Sequence, residues 1–472
     1  MSKFHSTVSR RDFMKGLGLA GAGFGAAVAV GPVYHDLDEL VSSNSSASTA
    51  VHKQWWVKEC DFEDLTTPVD WNIYDFYDLD ANPFHESSDE TKAKLAARDS
   101  ADEADGINNK VPGRTLRDFS FDLADSFIGP NAPWDGPTGH FKIRDYTPWQ
   151  DTPENNLQMV RAALHTFGAP LVGVLPVNEH MKRLFRKGEI LWEDIDTAFR
   201  DDQMVYHFPN KAESILVWET LQPAGQTRYV LRPDSNYPGG FGMGLRLGHQ
   251  GVGHAYSNGA QVGYAAMNFL KGLGYQAVKP TDNSFYYSNL PFGVFSGIGE
   301  QGRATYLCSP EYGLMMRYSY FVVTDLPLAP TKPIDAGITN FCKTCLRCAE
   351  TCPTGSVPME KDTSWDTVCV SNRPGFKGWF MNWPTCIDFG APNKCGVCQV
   401  MCPFNHPSEA IIHPVIRAVA GTTGIFNGFF ANMDRSFGYS EAKTPQELED
   451  WWTRDLDKDK IDTIFGTGKL KW

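Results

Sequence analysis

Nine of the eleven cysteines fall between positions 342 and 402, and that clustering fixes one stretch of the chain around something thiolates bind. A disulfide framework spreads its cysteines through a small domain. This chain has 472 residues, room for two or three domains and a large core, and does not need one. The first run, CKTCLRCAETCP, spaces Cys342, Cys345, Cys348 and Cys352 as C-x2-C-x2-C-x3-C and ends in Pro353. In the bacterial ferredoxin arrangement such a run gives three thiolates to one [4Fe–4S] cube and the fourth to a second cube. A second run is therefore required. CGVCQVMCPF supplies Cys395, Cys398, Cys402 and Pro403, but Pro392 stands where a fourth cysteine is expected. Cys386 is the nearest earlier candidate and Cys369 the reserve. We assign Cys342, Cys345, Cys348 and Cys402 to one cluster, and Cys352, Cys386, Cys395 and Cys398 to the other. Soft thiolates suit iron–sulfur cubes, and interleaved zinc sites rarely use this spacing. Gly355 and Gly396 permit tight backbone near the sulfides. Cys60 and Cys308 read as plain core or surface thiols.

The opening residues agree with a cofactor-loaded protein. Ser9, Arg10, Arg11, Asp12, Phe13, Met14 and Lys15 form a twin-arginine signal. The stretch 16–33 that follows contains six glycines and is less apolar than a spanning helix. Small residues at 42–50 suit cleavage, so 1–45 is expected to be a signal peptide. Twin-arginine export carries folded proteins, the route for a chain that takes its cofactor before crossing. The exported protein is expected to be soluble or peripheral, on the outer face of the cytoplasmic membrane. A formal net charge of −13 argues against nucleic-acid binding, which needs a basic face. Fourteen Asp or Glu between 61 and 105 face only Lys92, Lys94 and Arg98, the pattern of a solvated, irregular surface.

Region 46–150, rich in Asp, Pro, Trp and Gly, is expected to wrap irregularly around the body. Regular structure begins at Thr152, a helix cap followed by Pro153 and Glu154, with Gly168 as the stop. PLVGVLPV, SILVWETL and RYSYFVVTDLPLAP read as strands, and YSNGAQVGYAAMNFLKGLGYQAV as a helix leading into a strand. The domain 151–330 is thus α/β or α+β. A Pro-rich linker at 329–337 leads into a cysteine domain over 331–410, and an aromatic extension, 411–472, is expected to pack back on the body.

Two cubes form a wire for single electrons, which must end at a catalytic centre in the α/β domain or in a partner subunit. No G-x-x-x-x-G-K-[ST] run is present. GGFGMGLRLGHQGVGH is glycine-rich but lacks the strand and helix context of a dinucleotide loop; His249 and His254 within it are loop histidines that suit structure better than metal. No D-x-H-x-x-G run offers a histidine beneath a corrinoid cobalt.

Taken together, the leader SRRDFMKGLGLAGAG, the GIGEQGR loop (297–303), the passage TDLPLAPTKPIDAG into FCKTCLRCAETCP, and the truncated CGVCQVMCPF resemble the respiratory reductive dehalogenases of organohalide-respiring bacteria. The resemblance covers nearly the whole chain. It implies an α+β protein: an α/β-type, nitroreductase-like corrinoid domain joined to a bacterial-type ferredoxin domain with two [4Fe–4S] clusters. It implies a base-off, cobalamin-type corrinoid, reduced to Co(I) by the clusters, and reduction of a carbon–halogen bond in a small organohalide such as a chlorinated ethene or ethane. It further implies anaerobic respiration, a respiratory electron donor and a small integral-membrane anchor subunit. The alternative is an exported iron–sulfur electron-transfer subunit with no catalytic centre of its own. An enzyme of this family uses a tyrosine as proton donor with a basic residue beside it. The resemblance points to Tyr256 as the donor, Arg317 as its cation and Asn283 as the amide that holds substrate or hydroxyl. Tyr264 competes with Tyr256, and Arg303 either replaces Arg317 or binds the corrinoid.

Overall fold

Ser88 and Thr152 open the first two long helices. Each side chain accepts a backbone N–H from the residue three further on, Thr91 and Asn155, which no helical carbonyl can reach. The computed structural model describes residues 49–119, 148–203, 205–279, 289–389, 394–405, 412–436 and 441–455; the leader and Asn283 lie outside them. Helix α1 (Asp89–Asn108) corrects the expectation of an irregular acidic surface. Its Ala, Lys, Glu and Arg residues favour helix, yet Gly106 alone is buried, so no apolar stripe marks it in the sequence. Before it, strand Lys58–Glu59 pairs with Ile334–Asp335. Helix α2 (Pro153–Phe167) ends as expected at Gly168, in the left-handed region at φ 112°.

The central sheet holds four antiparallel strands: β1 (Leu171–Pro176), β2 (Ser214–Leu221), β3 (Ala277–Val278) and β4 (Met316–Thr324), in the order β1-β2-β4-β3. Every residue of β2 is buried, because both faces of the sheet are covered. On one face Val172, Val174, Leu216, Trp218, Tyr320 and Val322 meet α2 and the long helix α3 (Arg246–Gly272). On the other, Leu175, Ile215, Val217 and Val323 meet Phe292 and Phe295 of α4 (Leu290–Phe295). The period of two along each strand produces this division. Truncating a fully buried residue of either layer, such as Leu164, to Ala would cost about 2–5 kcal/mol. In a smaller sheet Tyr206–Pro209 is the central strand, parallel to Ile190–Glu193 and antiparallel to Phe199–Arg200.

Two boundaries differ from the sequence reading. Helix α3 begins at Arg246, ten residues earlier than expected, so His249 and His254 are helical and Tyr256 sits mid-helix. The glycines there serve close packing: a Cβ on Gly248 would lie 2.0 Å from the Val230 amide nitrogen. Strand β4 ends at Thr324, before the prolines at 327, 330 and 333 that cannot donate to a ladder.

The cysteine segment is built from short pieces. Helix α5 (Ile338–Cys345) carries Cys342 and Cys345, and helix α6 (Trp383–Phe389) carries Cys386. Helices α7 (Ile412–Thr422) and α8 (Asn427–Ser436) return to this segment, packing Ala420, Phe430 and Ala431 against Phe341. Among the described residues no helix is long and apolar enough to cross a membrane.

Candidate active site and thiolate baskets

Tyr256 reaches Arg317 across the junction of helix α3 and strand β4. Both are buried, at 5% and 6% exposure, and the Arg317 guanidinium carbon lies 4.9 Å from the centroid of the Tyr256 ring. The backbone fixes the pair. Arg317 stands opposite Thr220 in the ladder, and the Thr220 hydroxyl donates to the carbonyls of Ala255, at 2.9 Å, and Arg317, at 3.3 Å. The register breaks between Arg317 and Tyr320, where the strand bulges. One turn past Tyr256, Gly259 leaves room for the Tyr320 ring, whose hydroxyl donates to the Tyr256 carbonyl at 3.4 Å. Tyr264 is 52% exposed on the same helix. The structure thus joins Tyr256, not Tyr264, to a buried cation.

Arg303 lies elsewhere. Its Nε and Nη2 donate to the Cys342 carbonyl at 3.1 and 2.7 Å, and Nη1 donates to the carbonyls of Pro358 at 2.8 Å and Glu360 at 2.5 Å. Its guanidinium stacks 4.8 Å from the Trp379 ring. Glu300, three residues earlier, accepts from the amides of Ala336, Ile338 and Thr339 at 2.8, 3.1 and 3.1 Å, and from the Thr339 hydroxyl at 2.7 Å. It closes the first turn of α5, whose donors have no other carbonyl to reach. The GIGEQGR loop therefore grips the first cysteine run at two points, and the sequence gives no spacing signal for the Glu300 contact.

The cysteines fall into two groups, in which Cys345 and Cys352 are buried and the others half-buried. Cys342, Cys345, Cys348 and Cys402 line one cavity of about 370 Å³ with Arg303, Phe341 and Met401. Burial pushes the Cys342 thiol up to about 12, and the neighbouring Cys402 adds to the rise. Burial also raises Cys345 and Cys348, each reinforced by Cys342 and Cys402. In the second group burial lifts Cys386 to about 12, and next in weight stand Cys395 and Cys352. Cys395 rises to about 11, and Cys398 is raised by burial and then by Cys395 and Cys386. Cys369 instead turns its thiol to the Met381 carbonyl, 3.8 Å away. Cys308, read from the sequence as a plain core or surface thiol, is a core thiol whose contact with Cys402 the spacing does not show. It is fully buried in the first cavity, and its hydrogen bond to Cys402 holds that thiol below the usual range. Among the described residues no three His, Cys, Asp or Glu side chains converge as around one ion; a four-iron cube takes its four thiolates at separate corners.

No family model matches the chain. It is 31% identical over 542 aligned positions to a chloroethene reductive dehalogenase of Dehalococcoides mccartyi strain VS, covering 96% of this chain and 98% of that one. It is 28% identical to a trichloroethene reductive dehalogenase of another strain of that species, covering 95% and 97%. Among solved structures it is similar to a reductive dehalogenase described in connection with B12-dependent dehalogenation. That match has a TM-score of 0.56 and 16% identity, and covers 82% of this chain and 50% of the other, so this chain spans about half the length of that protein. The full-length likeness at 31% identity settles the family: the chain is a member of the reductive dehalogenases.

Proposed function

We propose that the chain reduces a carbon–halogen bond of a small organohalide, of the chlorinated ethene or ethane class, and releases halide. The change, R–Cl + 2 e⁻ + H⁺ → R–H + Cl⁻, requires electrons and a proton delivered to one carbon. The observation that carries the reading is the buried Tyr256–Arg317 pair, found in a relative of enzymes named for chloroethene and trichloroethene. Tyr256 gives the proton from Oη to the carbon. A phenol releases a proton reluctantly at neutral pH, and the Arg317 cation stabilises the phenolate left behind. Exclusion of water strengthens that attraction. Asn283 holds the substrate or the phenol hydroxyl.

The segment 331–410 is a two-cluster ferredoxin-type domain. Cys342, Cys345, Cys348 and Cys402 hold one [4Fe–4S] cluster, and Cys352, Cys386, Cys395 and Cys398 the other. The donor set fits: four soft thiols, Cys342, Cys345, Cys348 and Cys402, line one cavity, and bound iron would deprotonate them. Arg303 binds on the cofactor side, through the Cys342 loop. The domain 151–330 is nitroreductase-like and takes a base-off corrinoid. Asn258 suits the amide side chains of such a ring: it is buried on the Tyr256 helix and neither amide atom has a partner. When bound, a corrinoid supplies reducing power at cobalt for cleaving the carbon–halogen bond. The leader supports twin-arginine export to the outer face of the cytoplasmic membrane, with a small membrane anchor and a respiratory electron donor as partners.

The test is anaerobic purification with iron, cobalt and corrinoid analysis, followed by chloride release from chlorinated ethenes and ethanes with reduced viologen. Iron and cobalt together with halide release are expected. Iron without cobalt, and no halide, would make the chain an exported electron-transfer subunit instead.

A further inference from the structure

We propose that Cys308 tunes the first iron–sulfur cluster: its S–H donates to the Cys402 sulfur and makes that cluster easier to reduce. The inference rests on the assignment of Cys342, Cys345, Cys348 and Cys402 to one cube. Five thiols, not four, line the cavity of about 370 Å³, because Cys308 stands there with those four. A cube takes four thiolates, so one thiol is left over. Cys308 belongs to neither cysteine run. The backbone brings it there. Leu307–Cys308 is the second strand of a hairpin and pairs antiparallel with Glu300–Gln301, with Cys308 opposite Glu300. A Cβ on Gly299 would lie 2.5 Å from the Cys308 carbonyl, so the chain before Glu300 comes this close only as glycine. The same hairpin meets the first cysteine run at two further points: Glu300 accepts from the amides that open α5, and Arg303 donates to the Cys342 carbonyl.

Cys308 is 1% exposed and packs among Ala304, Leu314, Phe341 and Phe404. Apolar surroundings of this kind keep a thiol protonated. Its hydrogen-bond partner is Cys402. A sulfur that binds iron has no proton to give, so Cys308 is the donor and Cys402 the acceptor. An electron added to a cube places negative charge on its sulfurs, and a donor to one of them stabilises that charge and raises the potential. The buried setting strengthens the effect, since little water is present to screen it. The second group lacks such a thiol. The thiols beside Cys386 and Cys398 are Cys348, Cys352, Cys395 and each other, all of them cluster cysteines. Among the described residues, the extra thiol donor is particular to the first cluster.

The test is an anaerobic redox titration of the purified holoprotein, followed by electron paramagnetic resonance, with iron analysis beside it. Cys308→Ala removes the donor, and Cys308→Ser keeps one in its place. Cys308→Ala is expected to retain full iron and to make reduction of one cube about tenfold less favourable, a fall of about 59 mV for one electron. Cys308→Ser should recover most of the wild-type potential. Serine and alanine are close in volume, so a role in packing alone would leave the two variants alike. If Cys308→Ala does not fold, Cys308→Val fills the space without a donor and should show the same fall. An unmoved potential in the donorless variant, or equal shifts with and without the serine hydroxyl, would overturn the proposal. So would loss of about four irons in that variant, which would make Cys308 a ligand. A wild type without iron would overturn the cluster assignment, and this inference with it, before any variant is compared.

Discussion

Arg317 covers the face of Tyr256 at 4.9 Å, and one hydroxyl, that of Thr220, ties the two backbones together. Packing of helix on sheet therefore sets the pair, and removal of the phenol oxygen leaves that packing intact. Tyr256→Phe is expected to keep its iron and corrinoid and to lose chloride release by about 10²–10⁴-fold, the range of a positioned acid. Wild-type turnover in this variant would remove Tyr256 from the proton step.

Arg317 and Arg303 stand in different places, one over the Tyr256 ring and the other on the Cys342 carbonyl. Arg317→Gln should approach the loss seen in Tyr256→Phe, with iron unchanged. Arg317→Lys keeps a charge but not a planar one, and should fall between, about 10–100-fold below wild type. Arg303→Gln removes the donors to Cys342, Pro358 and Glu360 and should lower iron content. Iron assays alongside viologen-driven turnover on the three variants check the division. Loss of iron in Arg317→Gln, or full iron in Arg303→Gln, would refute it.

Gly259 is the position where the pair depends on a missing side chain. A Cβ there would lie 1.9 Å from Tyr320 Cζ, and the Tyr320 ring is stacked on Trp218 at 5.8 Å with no free space to yield into. Gly259→Ala should cost about 3 kcal/mol. Gly225→Ala, where a Cβ meets nothing within 4 Å, should be neutral or slightly stabilising. Differential scanning calorimetry of the two variants compares them directly; equal melting temperatures would contradict the close fit.

The sequence showed helix α2 to the residue, because Thr152, Pro153 and Gly168 act locally. It showed β1 as a buried strand, because the unbroken apolar stretch PLVGVLPV needs no partner to be recognised. It concealed α1, where charge hides helical propensity, and the start of α3, where glycines serve contact with Val230 and not a loop. The spacing puts Cys342, Cys345 and Cys348 on one short stretch, and the structure brings Cys402 to the same cavity. The contact of Glu300 with the start of α5 was not legible, since it forms only through long-range packing.

The small sheet carries a pH-dependent clamp. His207 Nδ1 lies 2.6 Å from Glu193 and Nε2 lies 3.4 Å from Asp201. The Glu193 hydrogen bond, with Asp201 behind it, raises His207 above its usual 6.5. The folded state thus holds a proton the unfolded chain releases. The resulting stability is full below pH 6.5 and is lost as pH rises through the folded value. Replacing His207 with Gln should lower the melting temperature more at pH 6 than at pH 9, by the equivalent of at most about 1 kcal/mol. An equal difference at both pH values would show that the ring contributes only its stacking on Phe199.

Cys386 and Cys369 give the sharpest test of the second cluster. Cys386 shares its electrostatic neighbourhood with Cys352 and Cys395, while Cys369 faces the Met381 carbonyl. A cube needs a thiolate at each corner, and serine is a poor substitute because hard oxygen does not match iron–sulfur chemistry. Cys386→Ser should therefore lose about four of roughly eight irons per chain, or convert that cluster to a three-iron form. Cys369→Ser should keep its full complement. Because Cys342, Cys345, Cys348 and Cys402 form a separate group, the remaining cluster in Cys386→Ser should still be reducible by dithionite. Electron paramagnetic resonance of the reduced variants would then show one cube signal in Cys386→Ser and two interacting signals in Cys369→Ser. The opposite pattern would move the fourth ligand to Cys369.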